Sequence, residues 1–102
     1  MPLFVLAHSP GPAWDHALPY TEQPNVMEHI GFMRSLDQRG LLLLGGPYGE
    51  IAPGLPVGMA IVEADDLGAA EALAAEDPSL ALGLVTVSVR AWGPRMGSAL
   101  EG

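Results

Sequence analysis

The sequence contains no cysteine. That absence excludes disulfides, zinc–thiolate centres and cysteine nucleophiles. Basic residues are nearly as scarce, with four Lys and Arg against twelve Asp and Glu, a net charge of −8. A chain so acidic repels phosphate backbones and anionic bilayers, so neither a nucleic-acid nor a membrane partner is expected. No apolar run approaches the roughly 20 residues that span a bilayer. The start, "MPLFVLAH", is too short and too uncharged for a signal peptide, which leaves a cytoplasmic location as the expectation. What is plentiful is apolar: 49% of the residues are hydrophobic and only 16% charged. With 102 residues the chain fits one domain. Small domains bury a smaller share of their surface, so a partner copy is expected to cover some of this apolar excess.

"LFVLA", Leu3–Ala7, reads as a short buried strand. Pro10, Gly11, Pro12, Pro19 and Pro24 break regular structure between Ser9 and Pro24. Loops of that length inside a compact domain are often functional. "NVMEHIGFMRSLDQRG", Asn25–Gly40, reads as an amphipathic helix. Asn25 is its expected N-cap, with Glu28 completing a capping-box-like pattern. Val26, Ile30 and Met33, with Phe32 and Leu36 on the adjoining edge, form its apolar stripe, and Gly40 closes it. "LLLLGGP", Leu41–Pro47, shows no polar alternation, so both faces of this strand are expected to be covered. After the turn-rich "YGEIAPGLP" comes a third strand, Val57–Ala64. Asp65 or Asp66 caps an Ala-rich helix, "LGAAEALAAE", which "DPS" stops. Leu84–Trp92 alternates apolar residues with Thr86, Ser88 and Arg90 and reads as the last strand. The domain is thus expected over residues 1–95, with a flexible tail over 96–102.

The order β-α-β-β-α-β predicts an α+β, ferredoxin-like sandwich: a four-stranded antiparallel sheet with two helices on one face. The other face needs a cover. With strands this apolar, a homodimer packed sheet to sheet is the simplest answer.

One position on the border of the helical stripe, His29, carries a titratable ring. Structurally it is a half-buried imidazole satisfied by one hydrogen bond. The functional alternative draws on Asp77, which stands before Pro78 at the end of the second helix. Its structural role is helix termination, because a residue before proline leaves the α region. An acid at a helix C-terminus nevertheless opposes the dipole and suggests a nearby cation or donor. If both helices lie on one sheet face, His29 and Asp77 can meet. A carboxylate that accepts from one ring nitrogen fixes the tautomer and frees the other nitrogen as a base. The serines lack any nucleophile elbow, and "GLLLLGGP" is not followed by a helix and is no phosphate loop. His8, His16 and His29 have spacings that match no metal site, so neither a metal nor a cofactor is expected.

"HIGFMRSLDQRGLLLLGGP" resembles the helix-to-strand segment of the YciI-like (YCII-related) family, within the dimeric α/β-barrel superfamily. "AIVEADDLGAAEALAAEDPSLALGLVTVSVRAW" resembles the remainder: a capped Ala-rich helix, Asp-Pro, a Gly-Leu-Val strand start and a terminal Arg-x-Trp. "HSPGPAWD" and Glu22-Gln23 are similar to a branch with a Gly-Pro-x-Trp-Asp loop. The resemblance covers Leu3 to about Trp92. It implies a ferredoxin-like fold dimerising through its sheets and a site centred on a histidine and an aspartate, here His29 and Asp77. The fold likeness to muconolactone isomerase and to a dehydrochlorinase of aromatic degradation implies proton-transfer chemistry, of lyase or isomerase type, on small cyclic or aromatic-derived molecules. One departure stands out: the residue after Asp-Pro is usually a bulky aromatic, and here it is Ser79. A missing pocket wall could come from Trp14. Trp14, Asp15 and His8 are accordingly expected to roof a substrate pocket beside His29, though Trp14 could equally plug an edge. Gly45, Gly46 and Pro47 would let backbone amides approach a ligand, or only turn the chain. Arg90 and Trp92 are expected to serve packing and dimer contacts. Two function classes follow. The first is a small dimeric enzyme with a His29–Asp77 dyad. The second is a non-catalytic module that binds a small molecule or a partner protein through the same cleft.

Overall fold

The computed structural model describes residues 2–100. Strand β1 spans Leu3–Pro10, helix α1 Val26–Gln38, β2 Leu42–Pro47 and β3 Gly58–Glu63. Helix α2 spans Leu67–Ala74, α3 Pro78–Ala81 and β4 Val85–Trp92. Single 3₁₀ turns lie at Tyr20–Glu22 and Ser98–Leu100. The strands form one antiparallel sheet in the order β2-β3-β1-β4, which is the ferredoxin-like arrangement. The short α3 is an addition to the expected element order.

Alternation along β1 decides which face is covered. Phe4, Leu6 and His8 are buried, while Leu3, Val5 and Ala7 are only half-buried. Opposite Phe4 and Leu6 on β3 stand Val62 and Ala60, also buried. These four pack with Phe32 and Leu36 of α1 and with Ala70 and Ala74 of α2, so both helices cover the same face. Ala70 and Ala74 lie one turn apart on α2, and their small side chains let its backbone approach the sheet closely. A second cluster gathers Trp14, Val26, Val57, Leu84 and Val85 around the far end of β1. There Gly11 meets Gly83 so closely that a Cβ on Gly11 would lie 2.3 Å from the Gly83 carbonyl oxygen.

The two ends of α1 differ in how well sequence reasoning anticipates them. At the C-terminus Gly40 has φ 73°, and Gly40 N–H donates to the Asp37 carbonyl while Leu41 N–H donates to that of Leu36. This is a Schellman closure, with Leu36 and Leu41 meeting in the core. At the N-terminus the expected cap is absent. Asn25 is left-handed, φ 66°, and its side chain bonds no helical N–H. Side-chain capping needs an extended backbone. Here the chain must instead swing out of the 3₁₀ turn through Pro24, and asparagine is among the few non-glycine residues that tolerate positive φ. On α2 the cap is Asp66, which accepts from Ala69 N–H at 2.8 Å.

Strand β2 departs from expectation as well. It lies at the sheet edge with β3 as its one partner, and past Leu42 its residues are exposed, Leu44 by 71%. Within one chain α1 covers only its beginning, so the fully apolar strand is left half-dressed. Leu44, Ile61 and Val5 align across the uncovered face. The segment after β4 is exposed apart from half-buried Pro94; of the expected tail, residues 101–102 lie outside the described residues.

Candidate functional site

His29 sits on the buried stripe of α1, one turn after Val26 and one turn before Phe32, and not on its border as the spacing suggested. It therefore stands at the seam between the two core clusters, where an aliphatic residue would otherwise join them. Asp77 arrives from the segment after α2. It does not end that helix: it is the N-cap of α3, with Pro78 in the first helical turn and Oδ1 accepting from Ser79 N–H at 2.9 Å. The dipole argument thus reverses, because an acid at a helix N-terminus is favoured. Its second oxygen, Oδ2, accepts from His29 Nδ1–H at 2.6 Å. Both partners are buried, the aspartate side chain completely.

The electrostatics follow from these two bonds. Burial alone would push the Asp77 carboxyl upward, but the hydrogen bonds from His29 and from Ser79 N–H prevail and hold it below the usual carboxylate value. An ionised carboxylate only accepts, so the proton between the pair resides on His29 Nδ1. In the neutral ring that assignment leaves His29 Nε2 with a lone pair.

A cavity of about 310 Å³ opens beside the ring. Its floor is His8 of β1 and Gly58 of β3, its near wall His29, Ile30 and Met33 of α1, and its far side Gly45, Gly46 and Pro47 of β2. Glycines on the strands let the elements around it come close together. A Cβ on Gly45 would lie 2.9 Å from the Met33 methyl, and one on Gly58 3.0 Å from the Gly46 carbonyl oxygen. Tyr20 and Thr21 of the 3₁₀ turn close one side, and Arg34 and Asp37 stand at the lining's charged rim.

Of the residues anticipated as substrate-binding, His8, Gly46 and Pro47 line this cavity, while Trp14, Asp15 and Ser79 do not. Trp14 is buried in the second cluster, edge-on to Tyr20 at 5.4 Å. Tyr20 in turn lies 6.1 Å from His29, so the aromatic wall that Ser79 cannot provide comes from Tyr20, with Trp14 behind it. Burial, and then the charge of Asp77, push the Tyr20 hydroxyl up to about 12, keeping it protonated. Asp15 belongs to a clamp. Buried Gln23 donates to the carbonyls of Asp15 and Leu18 and accepts from Asp15 N–H, which fixes the loop carrying Tyr20. Ser79 is wholly buried and contributes its backbone N–H to Asp77. Sequence reasoning missed Tyr20, Thr21, Arg34 and Asp37. For the last two a signal existed, since both lie one turn or two beyond His29 and Ile30 on the same helix.

His8, His29 and Asp77 each offer one metal-ligating atom, all within 4.8 Å of one another. The Asp77 oxygen nearest the ring is engaged by His29 Nδ1, so in this arrangement Asp77 orients the imidazole, the part a carboxylate also plays behind a metal-bound histidine. Among the described residues no helix is long and apolar enough to cross a membrane.

The comparisons with known proteins agree with this architecture. One solved structure is similar over 89% of this chain and 93% of its own, with a TM-score of 0.64 and 21% identity. It is 5-chloro-2-hydroxyhydroquinone dehydrochlorinase from Burkholderia phenoliruptrix AC1100, in complex with 2,5-dihydroxybenzoquinone. At that identity the likeness establishes the shared fold. No curated protein matches the chain. The model of the YCII-related domain matches residues 4–93, nearly the whole sequence. With that coverage, the chain belongs to the YCII-related family.

Proposed function

We propose that the protein is a small dimeric enzyme that moves a proton on a compact cyclic or aromatic-derived molecule held in the cavity beside His29. His29 Nε2 acts as the general base and then, once protonated, as the acid. Asp77 holds the ring in the required tautomer and stabilises the imidazolium that forms. His8, Gly46 and Pro47 contact the substrate, and Tyr20 packs against its ring. The observation that carries this reading is the 2.6 Å bond from His29 Nδ1 to Asp77, made at the wall of an open cavity. A buried pair with a purely structural role has no need of a hollow next to it. The similar dehydrochlorinase, bound to a dihydroxylated quinone, supports a small cyclic substrate.

The dimer is part of the proposal. Leu44 and Trp92 remain exposed on the face opposite the helices, beside half-buried Val5 and Ile61. A second copy packed on that sheet removes this surface from water.

The test is turnover against a panel of chlorinated hydroquinones, read by chloride release, and of small lactones, read by exchange of carbon-bound hydrogen in D₂O. His29→Ala is expected to lower the rate by roughly 10²–10⁴, the usual share of a general base. Asp77→Asn is expected to lose rate while sedimentation still shows the dimer. Full turnover by His29→Ala overturns the catalytic reading and leaves the non-catalytic binding module; a monomer at micromolar concentration overturns the dimer.

A further inference from the structure

The site contains a second histidine whose position the dyad does not explain. His8 is 1% exposed, on the central strand β1, and its ring meets that of His29 edge-on with centroids 4.7 Å apart. It lines the same cavity. Among the described residues neither ring nitrogen has a hydrogen-bond partner, and Nε2 is completely buried without one. The reason is local. Asp77 turns one oxygen to His29 and the other to Ser79 N–H, and neither is bonded to His8. Its neighbours across the sheet, Gly58 and Val87, offer no polar side chain. A buried ring nitrogen left unpaired is costly whether it donates or accepts, and in native proteins it calls for a specific explanation.

We propose that His8 donates its ring N–H to an oxygen of the substrate, and that the substrate is therefore a carbonyl compound with an acidic C–H beside the carbonyl. This rests on the assignment of His29 as base. The carbon–hydrogen bond breaks and its proton goes to His29 Nε2. The electron pair left behind forms the carbon–carbon double bond of an enolate. The carbonyl π pair moves onto oxygen, where His8 N–H receives it. The oxyanion is thus stabilised where its charge develops, by a donor that needs no reorganisation. Where a carbon–carbon double bond adjoins the deprotonated carbon, the enolate is a dienolate, and return of the proton from His29 to its far carbon completes an isomerisation.

The surroundings suit a neutral donor. Burial first, and then the neighbouring His29, push His8 down to about 4, against a smaller opposing pull from Asp77. The other titratable groups lining the cavity are Tyr20 of the 3₁₀ turn and Arg34 and Asp37 of α1, the last two exposed. At neutral pH His8 is uncharged beside a histidine backed by a carboxylate. The two rings differ in their partners, since His29 has a carboxylate and His8 has none.

The experiment uses two probes of similar shape, 4-nitrophenol, which presents an oxyanion, and 4-nitroanisole, which does not. Binding is read by absorbance at pH 8, with and without a chelator. Wild type is expected to prefer the phenolate. His8→Phe is expected to weaken phenolate binding by about ten- to a hundredfold, the range for a hydrogen bond to a charged group, and to leave 4-nitroanisole unchanged. His8→Gln, which restores an amide N–H, recovers most of the loss. In the wild-type protein the His8 N–H proton resonance moves downfield when phenolate binds, a reading independent of any variant. Equal phenolate affinity for wild type and His8→Phe, or a stationary His8 resonance, overturns the proposal. So does phenolate binding that the chelator abolishes, which assigns His8 and His29 to a metal instead. The outcome is separable from that for the base: a preserved phenolate preference together with full turnover by His29→Ala removes the proton step and leaves the donor.

Discussion

One layer of this molecule has a solid end and a hollow end. Where α2 and the C-terminal half of α1 cross the sheet, Phe4, Leu6, Leu36, Val62, Ala70 and Ala74 fill the space between helix and strand. Where the side of α1 that carries His29, Ile30 and Met33 faces β2 and β3, the strands offer Gly45, Gly46 and Gly58, and two imidazoles stand where aliphatic side chains would pack. The same helix serves both ends. The difference shows that the cavity is not a gap left by poor packing: it is bounded by a rigid half-domain that positions His29 to within the tolerance of one hydrogen bond.

The sharpest way to test that division is to damage each end and compare. Leu6→Ala, at a fully buried position of the solid end, is expected to cost about 2–5 kcal/mol in urea unfolding, the range for truncating a core leucine. A cost under about 1 kcal/mol would mean that the solid end is not what holds the domain together.

Acid should act on the hollow end. His8 has a folded pKa of about 4 against 6.5 when unfolded. Between these values the unfolded chain binds a proton that the folded chain does not, so the contribution of His8 to stability is present above pH 6.5 and lost as the pH falls toward 4. Its size is at most about 3 kcal/mol. Asp77, held below its ordinary value of 3.8, adds a loss in the same direction at still lower pH. Unfolding measured at pH 7 and pH 4.5 for wild type and His8→Leu should show the wild type losing more; parallel losses would break the assignment of a buried neutral ring.

Filling the hollow should cost little stability. In Gly45→Ala the new methyl meets the tip of the Met33 side chain, a group that can move. The expected change in unfolding free energy is within about 1 kcal/mol, with a clear loss of 4-nitroanisole binding. Unimpaired binding would place the ligand elsewhere. The smallest effect belongs to neither end: Arg39 donates to Glu76 at 2.9 Å with both side chains nearly half exposed. Arg39→Ala should change stability by less than about 1 kcal/mol and leave ligand binding untouched.

Much of the fold is legible in the residues. Periodicity located all four strands and both long helices, Gly40 marked the end of α1, and an aspartate marked the start of α2. The pairing of His29 with Asp77 was also within reach, although by an argument about Asp77 that the structure replaces. Read as the awkward end of one helix, it proves to be the favoured start of another. A four-residue helix carries too little periodicity to announce itself. Asn25 shows a similar limit, since its residue type suits both a cap and a left-handed turn, and only the path of the incoming loop selects between them. Tyr20 was passed over because nothing local distinguishes a loop tyrosine that walls a cavity from one that faces water.

By itself the sequence determined what depends on neighbours along the chain: the alternation that makes a strand, the stripe that makes a helix and the glycine that stops it. Tertiary structure alone decided what depends on distance through space. It brought a carboxylate 48 positions away to 2.6 Å from an imidazole, left a second imidazole without a partner, and placed glycines opposite both. Hydrogen bonds and cavities are properties of three-dimensional proximity, and no spacing along one chain encodes them until the sheet has set its order.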